Sequence, residues 1–348
     1  MQQLKKFFDQ LDEIYRQAEF NGAYGVVSAE KILHANALGF SDFEASTPFT
    51  TTTKTCLGSL TKQFTALGML LLEAEGKINL NRSLAEFFPE YIYAEEITLL
   101  QMIHMSSGVP DYTMMIYEES LQKARAKGLA EAEARYFADC ELDQADDSLS
   151  EILALFNDRP LDFQSGSQFA YRNLNYALLG DIITRVTGKS FGEYLQEKIF
   201  VPLEMSDTST TTDDSQAVSY RLIDGQRRRY ETGTLDSADG GMVSTLSDML
   251  KWLQAILSQK LLSAADWERV FTLVNEVYGF GWMKLGDWYY HGGEYLGFYA
   301  EIFLHRETQI GKIMLYNLES SDELDQISMD QRSIWRDELT TFLRTTEK

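Results

Sequence analysis

Cysteine is nearly missing from this sequence of 348 residues, which has only Cys56 and Cys140. Two cysteines do not build a disulfide framework. Cys56 lies in an apolar, strand-like segment with no histidine or cationic neighbour in sequence, so it reads as a small buried hydrophobe. Positive charge is also scarce: 31 Lys and Arg against 53 Asp and Glu leave a formal net charge of −22. Such a surface repels phosphate backbones and anionic membranes, so no nucleic-acid partner is expected. The acidic clusters "DCELDQADD" (139–147) and "LESSDELDQ" (318–326) read as solvated faces. No run approaches the ~18 apolar residues of a membrane span. The N-terminal stripe of Leu4, Phe7, Phe8, Leu11 and Ile14 is interrupted by charge, unlike the core of a signal peptide. The expectation is a cytoplasmic protein with no integral membrane span, unless a leader has been removed. Repeats, long Pro/Gly/Ser linkers and His/Cys/Asp clusters with metal-ligand spacing are missing too, so neither metal nor cofactor is expected.

What is present is a globular composition, 44% apolar and 24% charged. After a first helix, "AYGVVSAEKILHANALGF" reads as a hairpin turning at Ala29–Glu30. A strand at 51–57 leads into Ser59, and from there to about Leu257 the pattern is mostly helical. Two helices meet at Gly188, the second opened by a capping box of Ser190 and Glu193. The last third, "YGFGWMKL", "WYYHGG", "FYAEIFL" and "KIMLYN", returns to short strands, and "DQISMDQRSIWRDELTTFL" closes the chain as an amphipathic helix. Strands at both ends around a helical middle predict an α+β fold, an α/β sandwich. One antiparallel sheet is built from both termini and flanked by helices, with a large helical insertion. The expected division is a discontinuous sheet domain, 1–75 and 235–348, and a mostly helical domain, 76–234, with a site at their junction.

The stretch "CLGSLTKQFTALGMLLLEAEGKI" (56–78) carries the most chemistry. Ser59 and Lys62 stand three apart at the start of an apolar helix pattern, so their side chains share a face. A lysine in an apolar wall can serve as a proton acceptor, and a helix N-terminus suits a developing oxyanion. Ser-x-x-Lys occurs three times, about the chance level, at Ser28/Lys31, Ser59/Lys62 and Ser120/Lys123. Ser28 falls in the hairpin and Ser120 in a highly charged helix, which leaves Ser59. On this stretch alone, a capping serine beside a snorkelling lysine stays open beside the nucleophile reading. "GKSFG" (188–192) matches the G-x-S-x-G elbow, but a helix rather than a strand precedes it, so Ser190 reads as a cap.

Two further motifs separate the readings. "FAYRNLNYALLG" contains Tyr171-x-Asn173, and "YYHGGEYLGF" contains His291-x-Gly293. Ser-x-x-Lys, Tyr-x-Asn and a cationic or His-x-Gly strand, in that order, resemble the serine β-lactamase and penicillin-binding-protein family, in its class C-type branch with esterases and D-aminopeptidases. "ITLLQMIHMSSGVPDY", "IFVPLEMSDTS", "ADGGMVSTLSDMLKWLQAI" and "YGFGW" are similar to that family's landmarks in the same order. The resemblance implies a serine hydrolase working through an acyl-enzyme on a small ester, amide or lactam. Ser59 would be the nucleophile, with Lys62 and Tyr171 as the proton-accepting pair. Asn173 would orient Lys62 and hold a substrate amide, and His291 and Gly293 would line the site. The backbone N–H groups of Ser59 and Glu294 would form the oxyanion hole. The alternatives are a true β-lactamase or D,D-carboxypeptidase, and a catalytically idle acyl-binding module. Arg172, Ser165 and Met105 depart from the family's pattern, and Met105 puts His104 out of register, so His104 reads as structural. His291 replaces the lysine of the branch's true β-lactamases, which favours uncharged substrates over carboxylate-bearing ones.

Overall fold

A computed structural model of the chain describes residues 2–143 and 159–319, together with Leu149, Ile152, Leu153 and Asn157. The closing amphipathic helix expected from sequence, and parts of both acidic clusters, lie outside the described residues. Helix α1 (Gln2–Gln17) leads into strands β1 (Gly22–Ser28) and β2 (Ile32–Leu38). Helices α2 (Thr61–Ala74), α3 (Tyr112–Ala126), α4 (Glu131–Asp143), α5 (Asn173–Thr187) and α6 (Leu246–Leu257) follow. Strands β3 (Met283–Leu285), β4 (Trp288–Tyr295), β5 (Phe298–His305) and β6 (Ile310–Tyr316) complete the main sheet.

That sheet is antiparallel throughout, in the order β2-β1-β6-β5-β4-β3. The first strand and the last are therefore neighbours, in register from Gly22 with Tyr316 to Ser28 with Ile310. Because side chains alternate along a strand, β1 serves two cores. Tyr24 and Val26 join Phe8, Leu11 and Tyr15 of α1 on the outer face. Ala23 and Val27 join the large inner core, shared with α2 and α6. The α1 stripe is rotated from the expected one: Ile14 is 38% exposed, and Tyr15 takes the buried position.

Helix α2 is buried almost all round, as expected of a helix walled on every side by protein. Phe64 stacks on Trp252 of α6, with centroids 4.1 Å apart. Trp252 donates its indole N–H to Gln63.

Two expectations need correction. The strand before Ser59 is only Thr55–Cys56, paired with Val243–Ser244. Upstream, Thr50 and Thr53 bond to each other and fold the chain into a local turn. The helical middle also contains a hairpin, Tyr220–Ile223 with Gln226–Arg229. It turns on Asp224 and Gly225, whose φ values of 51° and 73° suit a tight two-residue hairpin turn.

Candidate functional site

Ser59 lies in a single 3₁₀ turn, Gly58–Leu60, immediately before α2. The N-caps of this turn and of α2 are leucines, Leu57 and Leu60, with no side-chain capping bond. Ser59 is therefore not the cap that its sequence position allowed. Its hydroxyl instead accepts a hydrogen bond from Lys62 Nζ at 3.0 Å. Lys62 is completely buried. Its Nζ also donates to Asn173 Oδ1 at 2.8 Å and to the Asp239 carbonyl at 2.6 Å. These three acceptors match the three hydrogens of an ammonium group.

Each acceptor is placed by a different segment. Asn173 is the first residue of α5, whose inner face is buried against α2. Asp239 belongs to a loop fastened along the start of α2. There, Thr65 donates to the Ala238 carbonyl at 2.6 Å, and Thr61 accepts from the Met242 N–H. Tyr171 places its ring centroid 5.0 Å from Lys62 Nζ. Its hydroxyl is buried and has no hydrogen-bond partner among the described residues. A buried polar group left unpaired is uncommon and calls for a reason.

The turn bearing Ser59 is pressed against the main chain of β4. A Cβ on Gly58, whose φ is +52°, would lie 2.5 Å from the Glu294 nitrogen. A Cβ on Gly293 would lie 1.9 Å from the Leu57 carbonyl oxygen. Only glycine permits this approach. It brings the Ser59 turn alongside the Glu294 backbone.

His291 is adjacent but enclosed, at 1% exposure. Its Nδ1 donates to the Gly292 carbonyl at 2.6 Å, since a carbonyl only accepts. Nε2 is therefore the acceptor for the Tyr278 hydroxyl, 2.8 Å away. Burial keeps Tyr278 a phenol by pushing its pKa well up. Burial first, and then the charge of Lys62, pull His291 down to about 3, against the opposing bond to Gly292. The imidazole is thus neutral at physiological pH, with both nitrogens engaged inside the protein. No fixed cation stands at this position to meet a substrate carboxylate.

The departures from the resembled pattern are accommodated locally. Arg172 pairs with Asp162 at 2.9 Å and donates to the Tyr171 carbonyl at 3.2 Å, so its charge is answered at the rim. Met105 has φ 55°, and its sulfur accepts the Arg172 N–H at 3.4 Å, supporting the Tyr171 loop. His104 is buried and donates Nδ1–H to the Tyr278 carbonyl, and burial lowers its pKa. Ser190 forms the expected capping box with Glu193, and Cys56 is buried.

Sequence reasoning missed Asp239, Tyr278 and Thr113 as partners of this cluster. Asp239 acts through a carbonyl that every residue has, so its identity carried no signal. Tyr278 stands in "YGFGW", a landmark noted without a role. No group of three or more His, Cys, Asp or Glu among the described residues could hold a metal ion. None of their helices is long and apolar enough to cross a membrane.

The chain is similar to known proteins along most of its length. A family model described as "Beta-lactamase" matches residues 4–331. Penicillin-binding protein 4* of Bacillus subtilis is 25% identical over 352 residues, covering 93% of this chain and 73% of that protein. Protein flp of Staphylococcus aureus is 25% identical over 317 residues, 85% of this chain, and the chain spans 59% of that protein's length. FmtA of Staphylococcus aureus has the same fold, with a TM-score of 0.76 at 21% identity, covering 95% of this chain and 88% of FmtA. Two other solved chains share it. They are a D-amino acid amidase from Ochrobactrum anthropi, with a TM-score of 0.73, and EstCE1, described as a hydrolase with promiscuous acyltransferase activity, with a TM-score of 0.76. The amidase is 21% identical and the match covers 97% of this chain and 98% of the amidase; for EstCE1 the values are 17%, 91% and 95%.

Proposed function

The chain belongs to the beta-lactamase family, and on that footing we propose that it is a serine hydrolase acting on small, uncharged esters or amides through an acyl-enzyme. The observation that carries this reading is Lys62 Nζ, buried and 3.0 Å from the Ser59 hydroxyl, in a turn seated against the Glu294 backbone.

In the proposed reaction Ser59 Oγ attacks the substrate carbonyl carbon. The Lys62–Tyr171 pair, in the form that has given up one of its protons, takes the hydroxyl proton and passes it to the departing alcohol or amine. The tetrahedral oxyanion sits between the N–H groups of Ser59 and Glu294, where donors aimed at developing charge are most effective. Water, activated at Tyr171, then attacks the acyl carbon. The acid leaves and the Ser59 hydroxyl is restored. Asn173 holds Lys62 in place, and Gly293 keeps β4 close enough for the Glu294 N–H to serve. The site lies where we divide the chain into a sheet domain, 1–75 with 235–348, and a helical domain, 76–234.

Substrate preference rests on His291. Its neutral, internally bonded imidazole gives a carboxylate no cation to bind, which weighs against dedicated β-lactam or D,D-peptide hydrolysis. A fluorophosphonate probe should label the protein and p-nitrophenyl acetate should be turned over. Ser59→Ala should abolish both, and turnover surviving in that variant would refute the assignment. Nitrocefin hydrolysis as fast as ester hydrolysis would instead promote the β-lactamase alternative. A wild-type chain that forms no adduct would favour the acyl-binding module.

A further inference from the structure

Asn173 has a second partner, outside the motifs read from sequence. Its Nδ2 donates to Thr113 Oγ1 at 3.1 Å. Thr113 lies in the first turn of α3, and its own hydroxyl donates to Asp111 Oδ1 at 2.6 Å. The same carboxylate oxygen caps the helix by accepting the Thr113 N–H at 3.1 Å. Asp111 is only 7% exposed. With its hydrogen committed to Asp111, the Thr113 oxygen faces Asn173 purely as an acceptor. It therefore selects the nitrogen side of the amide and turns the oxygen side towards Lys62. All the donors in this chain point one way, from Lys62 through Asn173 and Thr113 to a buried carboxylate.

The helix bearing Thr113 has its own seating. Helices α3 and α4 pack on a small core of Leu121, Ala124, Ala134 and Ala138, separate from the main one. The far side of the pair is fastened by Asp139, which accepts from Arg221 at 2.8 Å and from the Tyr230 hydroxyl at 3.1 Å. Thr113 is thus a point at which this helical hairpin touches the lysine cluster.

We propose that Thr113 is a positioning residue for Lys62, fixing the Asn173 amide so that its oxygen holds the lysine against Ser59. This rests on the reading of Ser59 as nucleophile for its effect on rate, but not for its effect on geometry. Thr113→Val keeps the shape and removes the acceptor. Thr113→Ser keeps the hydroxyl. Asp111→Asn keeps a competent helix cap and removes the charge.

Fluorophosphonate labelling of the full chain should show the maximal inactivation rate falling about tenfold in Thr113→Val and staying within about twofold in Thr113→Ser, the scale of one lost hydrogen bond. The inhibitor's dissociation constant should be unchanged in both. Asp111→Asn should fall between them, and it replaces the valine variant if that one does not fold. An unchanged rate in Thr113→Val overturns the proposal, as does a Thr113→Ser variant equally impaired. A crystal structure of Thr113→Val should show Asn173 Oδ1 withdrawn from Lys62 Nζ, and an unmoved amide overturns the proposal independently of any activity. If the wild-type protein is not labelled while the amide does move, the Ser59 reading fails and the positioning of Lys62 by Thr113 stands.

Discussion

Replacing His291 with glutamine should flatten the acid side of the protein's stability profile. An imidazole in the unfolded chain titrates near 6.5, whereas in the fold it stays neutral down to about 3. Between those values the unfolded state binds the proton and the native state does not, so stability falls as the pH falls through this window. Each pH unit is worth about 1.4 kcal/mol, so the 1.5 units from pH 6.5 to pH 5 amount to about 2 kcal/mol. This figure is insensitive to where below pH 4 the native group titrates. Glutamine can still accept from Tyr278, and it carries no titratable proton. Urea unfolding followed by tryptophan fluorescence at pH 7.5 and pH 5 should show the wild type losing about 2 kcal/mol more than His291→Gln. Other groups in the same window, His104 among them, are common to both proteins and cancel in the difference. Parallel profiles would refute the claim that His291 is held neutral, and with it the argument against carboxylate substrates.

Two further substitutions probe the scaffold. Gly293→Ala puts a Cβ 1.9 Å from the Leu57 carbonyl oxygen, so β4 must back away from the Ser59 turn. We expect a loss of about 2–3 kcal/mol by thermal or chemical denaturation together with loss of probe labelling, since overpacking costs on this scale. A labelled, fully stable variant would contradict the close seating. Arg221→Met strips Asp139 of its cation, with the Arg221 side chain only 9% exposed and that of Asp139 25%. A cost of about 2–3 kcal/mol is expected, below the range for fully buried pairs because of that exposure. Adding Asp139→Leu should recover part of it, and a double variant no better than the single would count against an uncompensated charge as the cause.

The parts of the site that were legible in sequence are those whose geometry is local or whose residue type is distinctive. Ser59 and Lys62 are one helical turn apart, so periodicity alone brings them together. Tyr171, Asn173 and His291 were reachable because a resemblance supplied long-range order that spacing cannot. The Asp239 carbonyl, brought to Lys62 from 177 residues away, left no trace because backbone groups have no sequence signature. The hairpin at Tyr220–Arg229 was hidden for a different reason. All four residues of its strand Gln226–Arg229 are exposed, so no alternation marks it, although Asp224–Gly225 is a recognisable turn pair. The α1 stripe shows the limit at finer scale: spacing fixed the apolar side of the helix, while Ile14 and Tyr15 compete for one seat that only packing against Met314 and Tyr24 decides.

The pairing of β1 with β6 has a consequence for how the chain is made. Gly22 needs Tyr316 beside it, and the Asn21 side chain reaches Asn317 across 296 residues. On a ribosome adding roughly 5–20 residues per second, β1 waits on the order of fifteen seconds to a minute for its partner. During that time the β1–β2 hairpin presents an unpaired, apolar edge, the kind of surface that other chains can add to. Until the last strand of the sheet emerges, the cover that β1 has on its outer face is α1.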